Sequence, residues 1–168
     1  MNYRITSIMG AAATLAMAGS AFAQPASPEK KPAEYVSIVQ DITVAKPIDA
    51  VMKKVGGYCD IAGWFKTTCV YTMGKGEVGT NRLIGGRINE VMVAKTATSY
   101  TYAQPLAPNS YHGTVEFQPD GKGTKIIYSL FYDVSMLPDQ AAKDKDEAGR
   151  KTMFGNVLKT MKAAAEAP

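Results

Sequence analysis

The sequence predicts an α+β domain: a curved, seven-stranded antiparallel sheet, two short helices after the first strand, and a long C-terminal helix enclosing a cavity. Three observations predict it. Six β-rich runs between residues 67 and 134 are separated by short breakers such as Gly74-Lys75-Gly76, Gly85-Gly86 and Asp120-Gly121-Lys122-Gly123. Links this short join antiparallel neighbours. A seventh β-rich run, Tyr35 to Val44, stands before them and is cut off from them by helical spacing. Near the end, Met153, Phe154, Val157, Leu158 and Met161 form one apolar stripe at helical intervals. An amphipathic helix needs an apolar surface to cover, and a sheet that curls around it leaves a space between them.

The elements follow in order. Residues 1–23 read as a secretory signal peptide: Arg4 supplies the positive n-region, an apolar run follows, and Ala21-Phe22-Ala23 is a small-residue cleavage pattern. Gly10, Thr14, Gly19 and Ser20 dilute the run below what a membrane anchor needs. The expected destination is the periplasm or the cell exterior. Residues 24–33, with three prolines and Lys30-Lys31, read as a flexible linker, and 34–168 as the folded domain. After strand 35–44, Pro47 suits a first helical turn, and Ile48, Val51, Met52 and Val55 recur at helical spacing. Gly56-Gly57 ends that helix, and Tyr58 to Phe65 reads as a second helical piece. Strands are expected over 67–73, 77–84, 87–94, 97–104, 111–118 and 124–134, and the long helix from Pro138 to about Ala165.

Composition narrows the chemistry. The chain has 168 residues, 46% apolar and 20% charged, with a net charge of +4. That excess is too small to argue for a nucleic-acid partner, and no basic run interleaves with aromatics. With one histidine and two cysteines, a Cys/His zinc site and an iron–sulfur cluster are excluded. Any histidine-dependent triad would have to use His112. Cys59 and Cys69, ten positions apart, read as one disulfide in an oxidising compartment, with two buried thiols as the alternative.

Strand parity sorts the candidate cavity residues, since alternate side chains share a face. Val78, Thr80, Arg82 and Ile84 fall on one face, and Ile88, Glu90 and Met92 on another. Arg82 and Glu90 each sit among apolar neighbours, the pattern of an inward face carrying one polar group. The alternative is a structural ion pair bridging neighbouring strands. Tyrosines share faces too: Tyr100 with Tyr102, Tyr128 with Leu130 and Tyr132, and Tyr111 with Gly113, Val115 and Phe117. Such rings build cores, and their hydroxyls also suit an aromatic or phenolic ligand. If Tyr111 points inward, His112 points out.

The order of elements resembles the helix-grip fold of the START-like (SRPBCC) superfamily, the polyketide cyclase/dehydrase and Bet v 1-like group. The resemblance covers about residues 35–165. It rests on Pro47-Ile48-Asp49-Ala50-Val51 opening the first helix, Trp64 closing the second, Gly76-Glu77-Val78-Gly79-Thr80-Asn81-Arg82, Glu90, Ser99-Tyr100-Thr101-Tyr102 and the terminal helix. In plant abscisic-acid receptors of this superfamily, a matching Val-Gly-x-x-Arg segment and strand glutamate are similar, and the glutamate reaches ligand through water. That role is implied for Glu90, with Arg82 following by parity. Some START-like pockets also use a lysine to meet a carboxylate, which points to Lys66.

The resemblance implies a cavity for an aromatic or lipophilic small molecule, and two uses of it. In the first, the ligand is transformed by cofactor-independent acid/base chemistry of the lyase, cyclase or isomerase kind, such as dehydration or retro-aldol loss of formaldehyde from a phenolic substrate. Glu90 would then be the general base, Arg82 the anion clamp and Tyr128 a proton relay, with Tyr100, Tyr102, Tyr111, Tyr132, Lys66, Trp64 and Phe154 contacting substrate. In the second, the same cavity serves a periplasmic carrier, or an accessory protein for a periplasmic dehydrogenase. Neither use requires a metal, nicotinamide or flavin, nor stable membrane insertion after signal cleavage.

Overall fold

Buried and exposed side chains alternate along β7 (Gly123–Asp133), where Thr124, Ile126, Tyr128, Leu130 and Tyr132 all face inward. That period of two marks a sheet with one covered face. The computed structural model describes residues 31–168; the signal peptide expected over 1–23 and residues 24–30 of the expected linker lie outside the described residues. The elements are β1 (Tyr35–Val44), α1 (Ile48–Val55), α2 (Ile61–Trp64), β2 (Cys69–Met73), β3 (Asn81–Ile84), β4 (Ile88–Lys95), β5 (Ser99–Ala103), β6 (His112–Asp120), β7 and α3 (Gln140–Glu166). They form one seven-stranded antiparallel sheet in the order β1-β7-β6-β5-β4-β3-β2. The first strand closes against the last, and the short helices are the excursion that separates it from β2.

Local chemistry accounts for the helix ends. Pro47 caps α1 in an extended conformation, and its carbonyl accepts from the Val51 N–H at 3.1 Å. Asp139, not Pro138, caps α3, its side chain accepting from the Ala142 N–H at 2.8 Å. The inner face of α3 buries Phe154, Val157, Leu158, Met161 and Ala165 against the sheet and α1. Met153, expected in the same stripe, is half-exposed at the rim.

Three expectations are corrected. The second helical piece narrows to α2, because residues 58–60 form a turn. The second strand begins at Cys69, because Lys66 takes a left-handed conformation (φ 49°) that turns the chain before it. The third begins at Asn81, because Gly76 and Gly79 adopt φ of 108° and 92° and break the run from Glu77. Val78 therefore leaves the inward face predicted for it and is 56% exposed. Cys59 and Cys69 form the disulfide, with a Cα–Cα distance of 5.5 Å, tying the turn before α2 to the edge strand. No helix among the described residues is long and apolar enough to cross a membrane.

Candidate functional site

The space between sheet and terminal helix is a half-open cavity of about 290 Å³. Its floor comes from β3, β4 and β5, its sides from Tyr128 of β7 and from α2, and its roof from Met153, Phe154 and Val157 of α3. Trp64 and Ile61 close one end, and Arg87 and Ile88 stand at the mouth.

Two charged side chains lie at the floor. Arg82 and Glu90 are directly opposite in the β3–β4 register and are 2% and 3% exposed. The Glu90 Oε2 accepts from Arg82 Nε at 2.8 Å and from Nη2 at 2.6 Å. The other carboxylate oxygen, Oε1, accepts from Gln104 Nε2 at 3.0 Å. Arg82 Nη1 donates to the Tyr58 carbonyl, and the guanidinium lies 3.9 Å from the Tyr58 ring centroid. Burial works against the Arg82 charge, but Tyr100, Glu90 and Tyr58 around it hold its proton more tightly than usual. A buried pair of this kind survives because hydrogen bonds satisfy both groups; removing one partner strands the other charge.

The tyrosines divide. Tyr102, Tyr111 and Tyr128 line the cavity. The hydroxyls of Tyr102 and Tyr128 hydrogen-bond at 2.6 Å, and the Tyr128 ring packs on Phe154 at 4.8 Å between centroids. Tyr102 reaches across its neighbour strand because Gly113 is its register partner: a Cβ there would collide with the Tyr102 ring. Tyr100 does not line the cavity; it packs edge-on to Tyr58 behind the ion pair, at 5.3 Å. Burial pushes the phenols of Tyr100, Tyr102, Tyr111 and Tyr128 above their ordinary range, so they enter the site as neutral donors and acceptors.

Tyr132 and Lys66 also fall outside this cavity. Tyr132 turns to a neighbouring cleft farther along β7, and Lys66 is exposed on the turn before β2, flanked by Phe65 and Thr67, which do line the wall. His112 lies on the opposite face from Tyr111, its Nδ1 2.7 Å from the Ser110 carbonyl. Trp64 and Phe154, expected to contact substrate, stand in the cavity wall.

Two cavity-lining residues are absent from the candidates the sequence offers. Gln104 completes the Glu90 carboxylate; it follows Tyr100 and Tyr102 at the same parity, which is the signal that marks it. Arg150 enters from α3, ion-paired with Asp146 at 2.7 Å and laid over the Tyr132 ring at 4.1 Å. It stands one turn before Phe154, on the side of α3 that faces the cavity. No cluster among the described residues has the side chains to hold a metal ion.

Known proteins carry the same architecture. A protein from Nitrosospira multiformis is 18% identical, with a TM-score of 0.64, covering 76% of this chain and 94% of its own. The crystal structure of Ara h 8.0201 matches at 16% identity and a TM-score of 0.60, covering 79% of this chain and 98% of its own. A Thermobifida fusca protein matches at 18% and 0.61, covering 75% and 90%. At these identities the likeness shows the helix-grip fold and nothing finer. No curated protein matches the sequence. The model of the family described as "polyketide cyclase / dehydrase and lipid transport" matches residues 35–166, nearly the whole described chain. With the fold and the cavity in agreement with that match, the chain belongs to this family, within the START-like superfamily.

Proposed function

We propose that the cavity binds one small aromatic or lipophilic molecule carrying an anionic group, in the periplasm or outside the cell. The observation that carries this reading is the wall itself: rings and aliphatic side chains on most sides, and three guanidinium groups against one carboxylate among its charged members. Arg82 is neutralised by Glu90, and Arg150 is paired with Asp146. Arg87 at the mouth has no ion-pair partner among the described residues and is the group free to meet an incoming anion. A cavity near 290 Å³ is at the small end for ligand sites and suits a molecule of roughly one or two fused rings. The cystine supports an oxidising, extracytoplasmic location.

Acid/base turnover is the second reading, and it rests on Glu90 itself lining the cavity. A general base needs an oxygen within reach of the substrate proton. Oε2 accepts two hydrogen bonds from Arg82 and Oε1 one from Gln104, so three of the four lone-pair sites are taken and a substrate proton would have to reach the one left on Oε1. Binding without chemistry therefore has the stronger support. Trp64 is the only tryptophan and stands in the wall, so its fluorescence reports occupancy. Titration with aromatic acids and phenolic dimers is expected to quench it saturably, with unchanged ligand recovered by mass. Product that accumulates with the wild type and disappears with Glu90→Gln would establish the enzyme instead.

A further inference from the structure

We infer that the ligand site has a second lobe and takes an elongated molecule, with its anionic end in the first lobe and an uncharged ring in the second. This rests on the binding reading above. A cleft of about 390 Å³ adjoins the first cavity, and Gln104, Tyr111 and Arg150 line both. These three side chains are the waist between two lobes. The second lobe is completed by the loops after β5 and β7, with Ala107, Met136, Leu137 and the ring of Tyr132 in its wall.

The waist is built from parts that can yield. Arg150 lies over Tyr132 at 4.1 Å and 5.5 Å from the Tyr111 centroid, and its ion pair with Asp146 is partly exposed on both sides. A partly exposed pair on one helix contributes little to stability, so its rearrangement costs little. The floor pair, with its buried hydrogen bonds, has no such freedom.

Charge fixes the direction. The first lobe is lined by Arg82, Arg87 and Arg150 against Glu90, whereas the second is lined by Asp133 and Asp146 against Arg150 alone. An anion is favoured in the first and repelled from the second. Asp133 already accepts from the backbone N–H groups of Glu34 and Ser135, so it shapes the field of the second lobe from a fixed position. The class of ligand is thus an aryl acid extended by a second, neutral ring.

Two probes separate the lobes: naphthalene-1-sulfonate, which fits one lobe, and 5-anilinonaphthalene-1-sulfonate, which adds a ring to the same anion at the opposite end of the naphthalene. Ala107 lines only the second lobe, and Ala107→Phe fills it. Calorimetry is expected to give one-to-one binding of both probes to the wild type. Ala107→Phe is expected to weaken the anilino probe about tenfold, roughly one power of ten in Kd, while naphthalene-1-sulfonate binds unchanged and so certifies the fold. Should Ala107→Phe lose both, Ala107→Met fills the lobe more gently and is expected to weaken only the longer probe. Equal binding of the anilino probe to wild type and folded variants would overturn the second lobe. Failure of wild type to bind naphthalene-1-sulfonate would instead remove the reading of the first.

Discussion

Of the three arginines that border this cavity, Arg82 and Arg150 are held in opposite ways. Arg82 sits on a strand, buried, with its cross-strand carboxylate, a backbone carbonyl and an aromatic ring all in contact. Arg150 sits on the terminal helix, partly exposed, with a carboxylate one turn away and a ring beneath it. The chemistry is the same; the surroundings differ. Burial makes the first a fixed part of the wall, because a lone charge there has no water to turn to. Exposure leaves the second free to change partners. In the proposed complex the rigid end would give the ligand a fixed floor and the adaptable end would set the length it accepts.

Breaking the rigid end should produce the largest effect. Glu90→Leu leaves the Arg82 charge buried and unpaired, and chemical denaturation is expected to show a loss of about 3–5 kcal/mol. The double variant Arg82→Met/Glu90→Leu removes both charges and is expected to recover most of it, within about 1 kcal/mol of wild type. A similar loss in both variants would mean that the pair's hydrogen bonds, not the stranded charge, carry the stability.

The disulfide serves the same end, since Cys59 adjoins the Tyr58 carbonyl that Arg82 contacts. Cys59→Ser with Cys69→Ser is expected to lower stability by about 2–3 kcal/mol, read from the denaturation midpoint. Gly113→Ala is expected to cost about 1–3 kcal/mol, because the new methyl displaces the Tyr102 ring from its bond to Tyr128. Arg150→Ala is expected to change stability by less than about 1 kcal/mol while altering ligand preference, which is the contrast between the two ends in its sharpest form.

Alkali tests the wall as a whole. Burial raises the phenols of Tyr102 and Tyr128 well above their ordinary range and pushes Tyr132 up to about 12. A raised folded-state value means that the folded protein holds these protons more tightly than the unfolded chain. Stability is therefore full below the unfolded value near 10 and falls as pH rises beyond it. Tyrosinate absorbance is expected to appear for the buried phenols together with unfolding. Titration of Tyr58, Tyr100, Tyr102, Tyr111, Tyr128 and Tyr132 near the ordinary value, with the fold intact, would contradict their burial.

Much of this was legible in the sequence where a short-period pattern carried it. Strand parity placed Arg82, Glu90, Tyr102 and Tyr128 on inward faces, and the stripe on α3 placed Phe154 over them. Parity fails where the strand does: Val78 carries the right count but follows Gly76, whose positive φ ends the extended run before β3 begins. It also says nothing of position along the cavity. Tyr132 shares a face with Tyr128, yet four residues of twisting strand carry it past the waist into the second lobe. Arg150 was hidden because a charged residue does not count in an apolar pattern, and only its place one turn before Phe154 signals that it faces the cavity. Long-range partners such as Gln104 for Glu90 depend on the register of β4 against β5, which no local window contains.

Occupancy of the space between sheet and terminal helix by a small aryl acid, above the buried ion pair, is what the proposed function requires. Amide and side-chain NMR shifts during a titration with naphthalene-1-sulfonate test it most directly. Saturable shifts are expected at Trp64 Nε1–H, Glu90, Tyr102 and Phe154, with the exposed edge residues Val70 and Met73 unmoved. Shifts confined to that edge, with the cavity residues silent, would contradict it.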